Sequence, residues 1–331
     1  MIDQQVSKNF SQSVNVLIFI FPIVINSLQV AGDIILFILA MMGIFIAISQ
    51  QISPFIIKEI KIFSYLTIGY FTAICLSVLF SGQMLELAHY IPRDFYFLFA
   101  PFIALTLYKV DININYLLAG VKVGLIILGI IVLNQQLAGV MRPSGVMNAG
   151  VFGNLSVSLF FITLVFFEQE SFKNKIFNIF SLLSGLFIII SSGTRGAWLS
   201  FLLLTGLYLY FFYKKKSKFS MRAKVFIVVI LISLLSIGGS NEYLKKRVNL
   251  AYYQISSWSL GDQSINPVSE RLNMYKKAID NIENVPLFGY GLRTSNVSLF
   301  KDDLSMAGIV AARYNHLHNA CLLYTSDAAD E

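Results

Sequence analysis

Long apolar runs follow one another along this chain with only short polar links between them, and that spacing dictates most of what it can become. About 20 residues of helix cross the ~30 Å hydrocarbon layer of a membrane. The runs fall at 14–28, 34–49, 62–81, 95–107, 116–133, 151–167, 176–190, 197–213 and 225–237. Within them Lys122 is the conspicuous charge. The chain has 331 residues, of which 56% are hydrophobic and 13% charged, a balance that excludes a water-soluble domain of this length. In lipid only helices satisfy their own backbone without closing a barrel, so the expectation is an all-α, polytopic bundle of about nine spans. No small-residue cleavage site follows the first run, so the N-terminus reads as a retained span. The two cysteines, Cys75 and Cys321, support neither a disulfide framework nor a metal site.

Basic residues orient the bundle. Counted alternately, one side takes Lys8, Lys58, Lys61, Lys109, Lys173, Lys175 and the cluster at 214–224. Short links on the other side carry Arg93, Arg142 and Arg195. Positive charge accumulates on the cytoplasmic side, so the N-terminus is expected there and the segment 241–320 outside. The chain thus divides into a transmembrane domain at 1–240, an external loop at 241–320, and a tail at 321–331. That tail resembles translated sequencing adapter, and we read it as non-native, with further spans expected beyond Ala320 in the natural protein.

The external arginines stand where positive charge is disfavoured. Each either reaches for lipid headgroups or serves a ligand. Arg142 lies in the turn Met141-Arg142-Pro143-Ser144-Gly145. Arg195 lies in Ser191-Ser192-Gly193-Thr194-Arg195-Gly196-Ala197, where glycines permit close backbone approach and Ser192 and Thr194 offer hydroxyls. A guanidinium in such a break suits phosphate, which it binds through two charge-assisted hydrogen bonds.

The external loop is the long polar segment. Asn266-Pro267 reads as a helix start, and Val268, Leu272, Tyr275, Ile279 and Ile282 would form one face of a helix that stops before Pro286. Leu244, Val248, Tyr252 and Ile255 repeat the pattern beside Lys245, Lys246 and Arg247, as in a helix lying on headgroups. Two of the three histidines, His316 and His318, stand near its end. They either brace the loop or supply a general base, since imidazole titrates near neutral pH. Two ligands without a third make a poor metal site, and no metal is expected.

Taken in order, Thr194-Arg195-Gly196-Ala197, Arg271, Tyr275, Ala278, Pro286, Gly289, Gly291 and His316-Leu317-His318-Asn319 resemble the O-antigen ligase family, which includes Wzy-type polysaccharide polymerases and protein-glycosylating ligases. The resemblance covers roughly 142–320. It implies a GT-C-like fold in the bacterial inner membrane with a periplasmic catalytic loop. The implied activity moves a glycan from undecaprenyl pyrophosphate to an acceptor hydroxyl on lipid A core, another glycan or a protein. It further implies Arg195 and Arg271, with Arg142, on the pyrophosphate, and His318 as base with His316 and Asn319 at the acceptor. No cofactor or nucleic acid enters. A ligase is the first expectation, a polymerase the second. A lipid or polysaccharide transporter is a more distant one, because transporters place ionisable groups in mid-membrane and show internal repeats.

Overall fold

A computed structural model describes residues 2–25, 27–28, 30–80, 87–140, 142–167, 172–214, 249–250, 252–253, 256 and 267–280. Among them all regular secondary structure is helical. The helices are α1 (Ile2–Val24), α2 (Ala31–Ser49), α3 (Lys58–Phe80), α4 (Leu87–Lys109), α5 (Ile114–Leu137), α6 (Ala149–Val165), α7 (Phe172–Ser191), α8 (Arg195–Lys214) and α9 (Pro267–Asp280). Of the described helices, α2, α3 and α5 are long and apolar enough to cross a membrane, and shorter apolar helices occupy Asn9–Val24, Ala149–Val165, Lys175–Ser191 and Gly196–Phe211. The run at 225–237 lies outside the described residues.

Side chains such as Phe45, Ile48 and Leu66 stand 63%, 73% and 68% exposed. In water so much bare hydrocarbon would drive aggregation; against lipid tails it costs nothing. Residues up to 72 and from 91 to 208 form one compact unit, whereas 73–80, 87–90, 209–214 and the described residues from 249 to 280 fall in a second.

The first unit is built around α5. Half of its most apolar stretch is buried, against about a third for α2. Val121, Leu125, Leu128 and Val132 of α5 pack with Phe152 and Leu159 of α6 and Ile188 of α7. Hydroxyls tie the helices where hydrophobic burial between them supplies little drive. Ser181 Oγ donates to the Lys122 carbonyl (3.3 Å) and Ser184 Oγ to the Leu125 carbonyl (2.6 Å). These pairs advance together, so α5 and α7 run in the same direction. Likewise α1 runs with α5, α2 with α4 and α6 with α8, as expected of helices that cross a layer alternately.

The turn from α4 into α5 is clasped by α1. Asn15 donates from Nδ2 to the Asp111 carbonyl (3.1 Å) and accepts at Oδ1 from the Asn113 N–H (2.8 Å). Asn113 then caps α5, accepting from the Asn115 N–H (3.0 Å). Farther along, Gly120 and Gly124 face the α1 backbone. A Cβ on Gly124 would lie 2.7 Å from the Pro22 carbonyl oxygen and 3.1 Å from its carbon. Backbone cannot yield as a side-chain tip does. Gly124→Leu should therefore cost about 1–3 kcal/mol or more, a typical penalty for overpacking. The midpoint of thermal unfolding in detergent measures it, and an unchanged midpoint would mean that α1 and α5 do not touch there.

Candidate functional site

The link between α5 and α6 carries Arg142 and is held from below by one side chain. Gln135, in the last turn of α5, accepts at Oε1 from the N–H groups of Ser144 and Gly145 (3.0 and 3.1 Å). Its Nε2 donates to the Gly145 carbonyl (2.9 Å), closing a three-bond clamp around the turn. Gly139 and Gly145 take φ of +83° and +64°, which L side chains adopt only with strain. Arg142 is exposed on this clamped turn. Asn148 then starts α6 as N-cap, accepting from the Gly150 N–H (2.7 Å).

The break between α7 and α8 is built the same way. Ser192 is fully buried, and its hydroxyl donates to the Ile189 carbonyl (2.9 Å). Gly193, at φ +61°, turns the chain with its N–H on the Ile190 carbonyl (3.2 Å). Thr194 Oγ1 donates across to the Ala149 carbonyl at the first residue of α6 (2.9 Å). Trp198 reaches back from α8, its Nε1 donating to the Ile189 carbonyl (3.1 Å). Arg195 is the first residue of α8.

Here the structure corrects the sequence reading of the hydroxyls. Ser192 and Thr194 are spent on backbone carbonyls and shape the break; they do not present hydroxyls to a ligand. Gly193 is buried and serves the turn. At Gly196 a Cβ would meet only Asn154 Nδ2, at 4.0 Å, and otherwise open space.

The starts of α6 and α8 consequently lie side by side. Gly153 permits this, since its Cβ would sit 3.0 Å from Ala197 Cβ and from Ser192 Oγ. Ser200 Oγ donates to Asn154 Oδ1 (3.3 Å) one turn farther on, and Phe160 meets Phe201 edge-on at 5.3 Å. Two helix N-termini thus point the same way, each bearing about half a positive charge on unsatisfied N–H groups. One of the two arginines is on the loop leading into α6 and the other opens α8. Both helix N-termini and both arginine positions favour an anion beside the starts of α6 and α8.

Gln135, Asn148, Asn154 and Trp198 were not singled out by sequence reasoning. Gln135 and Gln136 closing a run of hydrocarbon were the available signal for the first. Arg271 is the fifth residue of α9, in the second unit. His316, His318 and Asn319 lie outside the described residues.

Comparison with known proteins adds to this geometry. Residues 179–328 match the O-antigen ligase family model. An uncharacterized protein of Haemophilus influenzae is 28% identical over 144 residues, or 42% of this chain. The chain spans 36% of that relative's length. Over residues 179–328, which take in the Thr194–Arg195 break and α9, the chain is thus similar to the O-antigen ligase family.

Proposed function

We propose that this protein transfers a glycan from undecaprenyl pyrophosphate to an acceptor hydroxyl at the outer face of the bacterial inner membrane, without a metal ion. The observation that carries the reading is the hydrogen bond from Thr194 to Ala149, which sets the α8 start bearing Arg195 beside the α6 start. Arg195 grips the pyrophosphate, assisted by Arg271 and by Arg142. The leaving group departs with its negative charge already met by guanidinium groups, the stabilisation that a divalent cation supplies elsewhere.

His318, as a neutral imidazole held by Asn319, takes the proton of the acceptor hydroxyl. The acceptor oxygen bonds to the anomeric carbon of the donor sugar as the bond to the pyrophosphate oxygen breaks. Undecaprenyl pyrophosphate is released. His316 and Asn319 contact the acceptor. This arrangement needs an external loop at 241–320 and a cytoplasmic cluster at 214–224, the orientation that the basic residues favour.

Ligase is the first reading and Wzy-type polymerase the second, favoured if the acceptor is itself a lipid-linked repeat. Membranes containing the complete protein are given labelled lipid-linked glycan and an acceptor. The expected result is label on the acceptor, as a single addition for a ligase and as a ladder for a polymerase. Label that crosses the membrane still attached to its lipid would contradict both and indicate a transporter.

A further inference from the structure

α2 and α4 form a wedge. They close at Gly43, whose missing side chain admits the Phe102 carbonyl, and Thr106 Oγ1 seals the contact by donating to the Leu39 carbonyl (2.8 Å). Toward the start of both helices, rings hold them apart; Phe37 and Phe99 meet edge-on at 6.2 Å. The gap is a cavity of about 400 Å³ whose walls include Phe37, Phe95, Phe99 and Ile103. At its mouth stand Asp33 and Tyr96.

Depth identifies what reaches this wedge. α2 has 19 residues and is about 28 Å long, the thickness of the hydrocarbon layer. Asp33, in its first turn, therefore sits at headgroup level. The seven-residue step from Tyr96 to Ile103 carries the cavity roughly 10 Å toward the bilayer centre. An acyl chain suits the ring-lined interior. A cationic headgroup suits the carboxylate at the mouth, and an anionic one is repelled by it.

We propose that the α2–α4 wedge binds one membrane phospholipid with a primary ammonium headgroup. The ammonium group donates a charge-assisted hydrogen bond to Asp33, beside the Tyr96 ring. One acyl chain lies along Phe37, Phe95 and Phe99. This lipid site is built from α2 and α4 rather than from the elements that carry Arg142 and Arg195, and it does not depend on the proposed transfer reaction.

The test is native mass spectrometry of the full-length, delipidated protein titrated with lipids of identical acyl chains bearing ethanolamine, choline or glycerol headgroups. Ethanolamine lipid should bind about tenfold more tightly than the other two, because choline has charge without an N–H and glycerol has neither. Asp33→Asn should abolish the preference while leaving chain binding. Equal binding of all three lipids to the unaltered protein would overturn the proposal, and that comparison requires no variant. So would a preference that survives in Asp33→Asn, since it would place headgroup recognition elsewhere.

Discussion

Arg195→Lys should lose about 10²-fold or more in glycan transfer although the charge is kept, a loss of the size seen when one transition-state donor is removed. Lysine offers a point charge on a flexible stem, whereas the guanidinium makes two parallel hydrogen bonds to a phosphate. The break supports this sensitivity. Gly193 turns the chain, Ser192 and Thr194 are committed to carbonyls, and Trp198 ties α8 to the end of α7, so the backbone at Arg195 has little freedom to compensate. Transfer is measured per unit of membrane-inserted protein. Near-normal transfer by Arg195→Lys would reduce the residue to a general electrostatic role.

His318→Ala should cost about 10²–10⁴-fold in transfer rate at normal protein level, the typical contribution of a general base. His316→Ala should retain most of the activity, because His316 is assigned to acceptor contact and His318 adjoins Asn319. The pair of variants separates chemistry from bracing, since a histidine that only holds the loop together lowers protein level before it lowers specific activity. Normal transfer by His318→Ala alongside an inactive His316→Ala would reverse the two roles. Normal transfer by both would move the search to other loop residues, Asp302 and Asp303 among them.

Much of the helical frame was legible in the sequence, for a physical reason. Hydrocarbon thickness sets a length that apolar runs must meet, and α2 and α5 follow their runs closely. Windows of apolarity mark the lipid-embedded part of a helix, though, not its full length. α1 begins at Ile2, well before the run at 14–28, and α4 at Leu87, before the run at 95–107. Polar residues such as Ser11 continue the helix because they find tertiary partners, here the Asp111 carbonyl (3.0 Å). α9 starts at Pro267, where the Asn266-Pro267 pair placed it. Its buried face differs from the expected one, with Met274 1% exposed and Ile279 56% exposed. Periodicity gives a helix a face but not the neighbour that will cover it.

The same limit applies at the arginine end. Arg142 and Arg195 stood out because external positive charge is rare, and the structure sets the elements carrying them together. The residues that do the setting were silent in the sequence. A glutamine clamping a turn looks like any glutamine, and a threonine bonded to a carbonyl 45 positions away carries no local signature.

The central claim is that this end of the molecule holds a lipid-linked pyrophosphate, and donor binding tests it most directly. Undecaprenyl pyrophosphate is titrated onto the purified full-length protein, unaltered and with Arg142→Ala and Arg195→Ala combined. Hydrogen bonds to charged groups contribute about 1.5–3 kcal/mol each, so losing both arginines should weaken binding by about 10²-fold or more, with undecaprenol itself little affected. Unchanged affinity for the pyrophosphate in the double variant would contradict the claim.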